Sequence, residues 1–327
     1  GQCWVSMAVS IGTDIKHAAL PLLSRLMRSG GNRSKLDAAG LLLRVIAPVF
    51  SATRAITLVD SWYMKWPYLR TALDLGFHTI GQVRRDTALY DLPQPHRGRG
   101  RPRKYGTRYD ADHVAVLREH RRQVFLYGKW QWVRYRSAVC LARFLKGRLV
   151  RAVWLQFEDE SGTLSKSRLL LSTDHSLSAE ALFTAYARRW SIEDLFNQMK
   201  NRWGWREAWQ QSRQVLHRWT QILSIAYALP QLLATYCGDQ VQPLLGLTPW
   251  RKKNQVTAGL VRLGLQLIFS NVRVRAWWHP KWQKFQPPHW VERASEHENP
   301  GKPPDFVMSK NKMTAKKPPA ASMAAGL

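Results

Sequence analysis

The N-terminal part of the chain alternates between strand-like and helix-like patterns. An apolar run over residues 2–11 predicts a strand. Thr13 or Asp14 can cap a helix that would continue through Met27. The capping box Ser34-Lys-Leu-Asp37 predicts a second helix, which would end at about Val45.

A buried strand is predicted immediately before Asp60. The apolar run Ala55-Ile-Thr-Leu-Val59 leads directly to this acid. A helix is predicted over about Pro67 to Leu75, and residues 76–83 form a short strand-like run that contains two glycines. The order strand, helix, strand is typical of an α/β domain, in which sites are built at strand ends.

From residue 96 onward the sequence predicts first a loop, then strands, and then helices. Residues 96–108 hold six Arg or Lys, three Gly and no acid, which predicts a loop. Strands are predicted within residues 124–157 and over Ser167–Leu171. The helical regions begin at Ser178 and continue around residues 212–236 and 254–270, followed by an aromatic and basic stretch over residues 274–285. Beyond about Ala294, Pro, Lys, Ser and Ala dominate, and we expect disorder.

Among the features of the composition, the net charge says most about the class of binding partner. The 327 residues are 45% apolar, which is enough for a substantial core in one elaborated domain or two. Fifty Lys and Arg against 22 Asp and Glu give a net charge of +28, so a polyanion is the expected partner. An acidic membrane surface is the alternative to nucleic acid. The basic residues are spread along the chain and form no membrane-adjacent cluster, so we expect no membrane partner.

Three cysteines, Cys3, Cys140 and Cys237, are too few and too far apart for a disulfide framework or a zinc site. A reducing cytoplasm is therefore the expected compartment. The longest apolar run, about Ile222 to Cys237, is short and interrupted by polar residues, which predicts a buried helix and not a membrane span. The chain begins at Gly1 on a strand-like run without an initiator Met, so we expect it to start inside a domain.

Two segments are candidates for contact with nucleic acid. The loop over residues 96–108 is either a solvated linker or a basic strap over phosphates, and the lack of any acid favours the strap through Arg97, Arg99, Arg101, Arg103 and Lys104. Aromatic and basic residues alternate in the second segment, which suits backbone contact and base stacking by Lys129, Trp130, Trp132, Arg134 and Arg136. An ordinary hairpin with inward aromatics is the alternative, and it is the expectation for Trp130, Trp132 and Tyr135 taken individually.

The segment from Ala185 to Trp203 carries the candidate chemistry. At about 100° per residue, Arg189, Glu193 and Lys200 lie at roughly 300°, 340° and 320° from Tyr186, on one stripe of a helix. An apolar face lies beside that stripe, formed by Ile192, Leu195, Phe196, Met199 and Trp203. The alternative is an amphipathic helix with a charged flank that opens on a capping box at residues 191–194. On geometry alone the two interpretations are equally good.

A family resemblance decides between them. Tyr186, Arg189, Glu193 and Lys200 match without a gap the Tyr-Arg-Glu-Lys signature of a large group of bacterial insertion-sequence DDE transposases. The segment Leu58-Val-Asp-Ser-Trp-Tyr63 resembles the second motif of that group, a strand that ends in Asp followed by an aromatic-rich helix start. The resemblance extends over roughly Gly1 to Trp209.

The resemblance implies an α/β fold with an RNase H-like (retroviral-integrase-like) core, a β-rich insertion and C-terminal helices. The implied divisions are residues 1–95 for the first part of the core, 96–165 for the basic loop and insertion, 166–240 for the rest of the core, 241–293 for a helical and basic region, and 294–327 for a disordered tail. By this similarity Asp60 and Glu193 are the second and third carboxylates of a DDE triad, with Tyr186, Arg189 and Lys200 in catalytic roles. The implied partner is double-stranded DNA, both element ends and target, bound by a homodimer in a synaptic complex in the bacterial cytoplasm near the nucleoid.

Two Mg²⁺ (or Mn²⁺) ions are the implied cofactors, with Asp60 and Glu193 as metal ligands. Carboxylate oxygens suit Mg²⁺, and two ions can stabilise the attacking and leaving oxygens of an in-line displacement. Asp14 and Asp37 are the only acids before Asp60, and both are better explained as helix caps. The first carboxylate of the triad is therefore missing from the pattern, which implies an N-terminally truncated enzyme or, as the alternative, a non-catalytic DNA-binding remnant.

Overall fold

The computed structural model describes residues 2–27, 32–95, 101–238, 256–271, 278–279, 281 and 283–285. Strands and helices are mixed throughout these residues. The strands are β1 Trp4–Gly12, β2 His17–Leu26, β3 Ile56–Val59, β4 His78–Val83, β5 Leu89–Tyr90, β6 His120–Leu126, β7 Lys129–Ala142, β8 Arg148–Glu158, β9 Arg168–Ser172, β10 Trp278–His279 and β11 Lys284–Phe285. The α-helices are α1 Asn32–Ile46, α2 Trp66–Asp74, α3 Ala111–Ala115, α4 Ala179–Ala187, α5 Ser191–Asn201, α6 Arg213–Tyr236 and α7 Ala258–Asn271, with 3₁₀ turns at Ala47–Phe50, Arg143–Leu145 and Arg188–Trp190.

The first two strands form an antiparallel hairpin, so the helix predicted from Thr13 to Met27 is wrong. Gly12 adopts a positive φ of 89°, and the Thr13 amide then donates to the Lys16 carbonyl at 2.9 Å to close the turn. Pro21 lies within the predicted helix, where it lacks the N–H that a helix interior needs. In the hairpin it lies next to an irregularity in the register between Met7 and Ala8.

The second predicted helix is present as α1, although it begins at Asn32, two residues before the proposed cap at Ser34. Its inward face is apolar, and Leu36, Leu42 and Leu43 are buried. The predicted strand at residues 55–59, the helix at 67–75 and the strand at 76–83 are present as β3, α2 and β4, with boundaries shifted by one or two residues.

A seven-stranded sheet runs in the order β3-β4-β9-β8-β7-β5, with β6 paired to β7. The β3–β4 pair is parallel, and the remaining pairs are antiparallel. The long strands β7 and β8 pair from Trp132↔Glu158 to Ala142↔Arg148 and form the strand-rich middle of the chain that the pattern predicts. The described part of the basic loop, residues 101–108, forms no helix, and its last residue, Arg108, makes an isolated antiparallel bridge to Tyr90.

Helices cover both faces of this sheet. Along β9, Leu169 and Leu171 belong to one apolar cluster with α1 and α2. Leu170, between them, belongs to a second cluster with Leu182 and Phe183 of α4. Successive strand residues point to opposite faces, so the sheet is the middle layer of three.

The helical region from Ser178 is interrupted where one continuous helix is predicted. The Ser178 side chain caps α4 by accepting from the Ala181 amide at 3.1 Å. Residues 188–190 then form a 3₁₀ turn before α5 begins. Ser191 does not act as a cap, because its hydroxyl donates to the Arg188 carbonyl at 2.8 Å. A 3₁₀ turn has three residues per turn, so it changes the angular position of every residue after it.

The predicted helix at residues 212–236 is α6, and that at 254–270 is α7, which begins at Ala258. None of the helices in the described part of the chain combines the length and the apolar character needed to cross a bilayer. The three cysteines carry free thiols. The predicted disordered tail beyond Ala294 lies outside the described residues.

Candidate active site

A cleft of about 790 Å³ lies at the end of β3, and we call it the central cleft. Asp60, Arg189 and Glu193 all line it, although they come from distant parts of the chain. β1 and β3 form two of its walls, and α1 and the α4–α5 segment form the other two. The fold therefore places the two acids singled out in the sequence in one cavity.

Asp60 is held by the turn that follows β3. Its Oδ1 accepts from the Trp62 amide at 2.8 Å and from the Tyr63 amide at 3.3 Å. Asp residues commonly bond to the backbone two residues on in this way. The residue is exposed, so the turn orients the carboxylate while leaving it open to solvent.

Glu193 is paired with Arg189 one turn earlier. The Arg189 guanidinium donates to Glu193 Oε1 at 2.9 Å, and the arginine side chain is 18% exposed against 43% for the glutamate. Arg189 also lies 5.7 Å from the Tyr186 ring and 5.8 Å from the Trp190 ring. Packing between two aromatic rings limits the freedom of the guanidinium, so a fixed positive charge lies beside the candidate ligand.

Tyr186 and Lys200 do not share one exposed surface with Arg189 and Glu193. Tyr186 is buried, and its ring belongs to the apolar cluster under the sheet. Lys200 lies two turns along α5 from Glu193, exposed, with its Nζ 5.7 Å from the Phe196 ring. The stripe predicted for a continuous helix is thus divided: Arg189 and Glu193 meet, Tyr186 is buried beneath Arg189, and Lys200 is exposed farther along α5.

The predicted apolar face of α5 is confirmed. Leu195, Met199 and Trp203 are buried against the β1–β2 hairpin and against Tyr227 of α6. This packing fixes the rotation of α5 about its axis. It is therefore the reason that Glu193 faces the central cleft.

Tyrosine hydroxyls near the cleft stay protonated at neutral pH. Burial raises the pKa of Tyr63 to about 12, and the neighbouring Asp60 adds to the rise. Burial also raises the pKa of Tyr186 and of Tyr127, while Arg189 opposes the rise in both. All three groups are therefore hydrogen-bond donors in neutral solution.

The donor chemistry of the cleft suits a hard divalent cation, but the described residues supply only part of a site. Asp60 and Glu193 offer carboxylate oxygens, the ligands that Mg²⁺ and Mn²⁺ prefer. Within the described ranges, no group of three or more His, Cys, Asp or Glu side chains is placed to hold a metal ion. Neither Asp14 nor Asp37 lines the cleft. The helix-cap role predicted for both acids is wrong, because Asp14 lies in the turn between β1 and β2, where it pairs with Arg188 at 3.5 Å, and Asp37 lies within α1.

Two aromatic residues beside the site, Tyr127 and Trp190, are not predicted by the sequence pattern. The tip of the β6–β7 hairpin brings Tyr127 to 6.3 Å from Trp190, measured between ring centroids. Trp190 is 55% exposed and directly follows Arg189 in the chain. Adjacency to Arg189 is a signal that could have identified Trp190. No local signal identifies Tyr127, because it reaches the site only through the folding of the hairpin.

The predicted nucleic-acid residues have different surroundings. Exposed positions hold Arg101, Arg103, Lys104, Lys129 and Trp130, whereas Arg97 and Arg99 lie outside the described residues. Trp132 is 37% exposed and is stacked under the Arg121 guanidinium at 3.9 Å.

The remaining residues of this strand are engaged within the protein. Arg134 pairs with Glu158 at 2.9 Å, and Arg136 pairs with Glu119 at 2.8 Å, so acids already balance their charges. Tyr135 packs inward, as expected for it individually, and donates to Glu180 at 2.7 Å. The inward packing expected for Trp130 is wrong, because its side chain is 63% exposed and, within the described residues, its ring meets only the edge of Phe125, at 5.7 Å between ring centroids.

Comparison with known proteins identifies a family for this chain. A family model described as a transposase DDE domain matches residues 9–229, which is more than half of the chain. The matched range includes Asp60, Tyr186, Arg189, Glu193 and Lys200. No curated protein matches the chain.

Proposed function

Because the chain belongs to the transposase DDE domain family, we propose that it is an insertion-sequence transposase of the bacterial cytoplasm and nucleoid. In this proposal it binds double-stranded DNA at element ends and target, and acts in metal-dependent phosphodiester cleavage and strand transfer on an RNase H-like core. The observation that carries the proposal is the placement of Asp60, Arg189 and Glu193 on one cleft. A homodimer that brings two element ends together is the assembly we propose.

Asp60 and Glu193 are the proposed cation ligands. A bound divalent pair supplies charge stabilisation for the attacking and leaving oxygens of the phosphodiester. The turn at Trp62 and Tyr63 holds the Asp60 carboxylate in place through two backbone amides. Arg189 holds Glu193 at 2.9 Å in the free protein, so it keeps this carboxylate oriented toward the cleft.

The basic side chains of the site are proposed to bind phosphate. Arg189 is fixed between Tyr186 and Trp190, and a guanidinium can donate two parallel hydrogen bonds to a phosphate. Lys200 is exposed on the same helix, where it provides a mobile positive charge. Tyr186 is buried, so we propose that it supports Arg189 through ring packing more than it contacts DNA directly.

The surface proposed for DNA backbone contact is formed by the exposed part of the basic loop and the tip of the hairpin. Arg101, Arg103 and Lys104 are in the loop, and Lys129 and Trp130 are at the start of β7. We leave Arg134 and Arg136 with a structural role, because their charges are paired with Glu158 and Glu119.

One observation favours the second candidate function, a DNA-binding protein that does not cut. The described residues offer two carboxylates at the central cleft and no group of three metal-ligating side chains. Metal affinity falls steeply when ligand count and charge fall, so two acids alone make a weak site.

Duplex binding and strand cleavage, measured separately, test the two functions. We expect salt-sensitive binding of duplex DNA without metal, because neutralisation of phosphates releases counterions. Asp60→Asn and Glu193→Gln should leave this binding intact and remove any Mg²⁺-dependent nicking. Asp74→Asn, at an exposed acid paired with Arg70 outside the cleft, is the matched control and should change neither property.

Each outcome distinguishes between the functions. Nicking that disappears with Asp60→Asn supports the transposase, and binding without nicking supports the non-catalytic alternative. Nicking that survives both cleft substitutions would show that other carboxylates form the site. Failure to bind duplex DNA at low salt would contradict both functions.

A further inference from the structure

Three lysines, Lys35, Lys65 and Lys146, lead away from the candidate active site on the α1–α2 side of the sheet, and we call them the lysine row. The row begins at Trp62, whose amide donates to Asp60 Oδ1 at 2.8 Å. Lys65 Nζ lies 4.4 Å from the centroid of the Trp62 ring, and Lys35 Nζ, from α1, lies 5.6 Å from it. A carboxylate of the site and two positive charges are therefore arranged around one residue.

The lysine row continues from α2 to the turn between β7 and β8. Trp66 is the first residue of α2, and Lys146 Nζ lies 5.1 Å from its ring centroid. Lys146 adopts a φ of 59° in the turn, where its amide donates to the Arg143 carbonyl at 3.0 Å. The residue is exposed, so the turn presents its ammonium group at the surface beside α2.

The far end of the lysine row meets the basic loop. A Cβ at Gly147, next to Lys146, would lie 3.3 Å from Lys104 Cε and 3.4 Å from the Tyr105 hydroxyl, so this part of the loop rests on the turn. The Tyr105 ring also packs on Tyr90 of β5, at 4.9 Å between ring centroids. The lysine row thus connects two surfaces that the proposed function uses, the central cleft and the basic loop.

No acid among the described residues neutralises the lysine row. Across those residues the ion pairs with Asp and Glu are made by arginine and histidine side chains, and the three lysines take part in none. The first turn of α2 holds no acid, and no side chain caps its N-terminus. The positive charge of this surface is therefore available to a partner.

The spacing of the charges favours a bound polyanion. Because Lys35 and Lys65 face the same ring, their ammonium groups lie at most about 10 Å apart, within about one Debye length at 0.1 M ionic strength. Their mutual repulsion is therefore incompletely screened, and an anion bound between them relieves it. A cation–π contact uses the ring face and leaves the N–H donors of the ammonium group available. A phosphodiester backbone suits such a row, because lysine binds phosphate as a point charge.

We propose that Lys35, Lys65 and Lys146 bind the backbone of duplex DNA beside the reacting phosphodiester, so that the duplex runs from the central cleft to the basic loop. The lysine row fixes the position of the duplex without reading its sequence, because phosphate contacts carry no base information. This inference rests on the proposed function, since it assigns a path to the same DNA.

Acetylation of lysines, followed by mass spectrometry of the parent protein with and without DNA, tests this path. The probe is a duplex of about 20 base pairs, which is about 68 Å long. At a free concentration of about 100 times its Kd, it should slow acetylation of Lys35, Lys65 and Lys146 by up to about 100-fold. Lys16, an exposed lysine in the turn between β1 and β2, is the matched control and should react at an unchanged rate.

Substitutions test whether the same lysines contribute to affinity. The combination of Lys35→Gln, Lys65→Gln and Lys146→Gln should flatten the slope of log affinity against log salt by about 3, equally for two duplexes of unrelated sequence. Arginine at the same three positions keeps the charge and should retain the slope, and Lys16→Gln should leave it unchanged. The acetylation experiment uses the parent protein, so it remains decisive if the triple variant does not fold.

The outcomes separate the lysine row from the proposed function. Duplex binding that leaves the three lysines reacting as fast as in the free protein would overturn the row alone. Equal slowing at Lys16, or equal protection by polyglutamate, would reveal a general effect of charge and would also overturn it. Stronger protection by single-stranded RNA would overturn the choice of duplex DNA as the partner. Failure of the parent protein to bind duplex DNA at low salt would overturn both the row and the proposed function.

Discussion

A methyl group added at Gly81 should destabilise the protein and disturb the end of β3. Gly81 lies opposite Val59 in the parallel register, and Val59 directly precedes Asp60. A Cβ at this position would overlap Met64, lying 2.5 Å from its Cγ, and would lie 3.0 Å from Val59 Cγ2. The backbone φ of Gly81 is not positive, so the effect of Gly81→Ala comes from space and not from conformation.

The expected magnitude is a balance of two opposing effects. Overpacking a buried site costs about 1–3 kcal/mol. Alanine also restricts the backbone of the unfolded chain, and this effect stabilises the folded state by about 0.4–1 kcal/mol. The midpoints of these two ranges differ by about 1.3 kcal/mol, so we expect the free energy of unfolding to fall by about that amount and Tm to fall by about 3–5 °C.

Urea and thermal denaturation of Gly81→Ala measure this change, and Gly259→Ala is the matched control. Gly259 is in α7, and outside the adjoining backbone of that helix no atom lies within 4 Å of the position that an added methyl group would take, so alanine there should be neutral or stabilise by up to about 1 kcal/mol. Met64→Ala removes the side chain that the added methyl group would meet. It should therefore lower the free energy of unfolding by at least about 1 kcal/mol less in the Gly81→Ala variant than in the parent protein, because the effects of contacting residues are not additive. If Gly81→Ala and Gly259→Ala had the same free energy of unfolding, the close packing at Gly81 would be refuted.

Three further outcomes are expected. Ser178→Ala removes the side-chain acceptor of the Ala181 amide and should lower the free energy of unfolding by about 0.5–2 kcal/mol in denaturant titration, while no change would exclude a capping role. Hydrogen bonds from Arg121 and Arg134 lower the pKa of Glu158 to about 2, so its stabilising contribution is present above the unfolded value of about 4.3 and is lost as pH falls toward 2. The Tm difference between the parent and Glu158→Gln should therefore shrink between about pH 4.3 and 2, and a constant difference would argue against this pairing. Substitution of both Arg101 and Arg103 by Ala should flatten the slope of log affinity against log salt for duplex DNA by about 2, and an unchanged slope would remove the loop from the interface.

Stretches with a pronounced local pattern could be predicted from the sequence. The run before Asp60 is apolar and β-branched, and it forms β3 with only one residue of difference at its start. The segment of residues 212–236 has helical periodicity and a Ser cap, and α6 begins directly after Ser212. In both cases the signal lies within one element, so no distant contact was needed to interpret it.

The hairpin at the N-terminus shows why other stretches were not predictable. Residues 17–26 have several apolar positions that fit a helix or a strand equally well. They form β2 because β1 offers a ladder partner and because α5 and α6 cover the resulting face. The choice therefore depends on residues up to about 200 positions away, which no local window includes.

For the site, the sequence by itself determined which residues are candidates for the chemistry: Asp60 at a strand end, Arg189 and Glu193 one helical turn apart, and an excess of basic residues suited to a polyanion. Only the tertiary structure decided which of the predicted residues share a cleft, that Tyr186 is buried, and that Arg134 and Arg136 pair with Glu158 and Glu119. Periodicity and spacing report chemistry along one element, whereas cavities and ion pairs arise when separate elements pack in three dimensions.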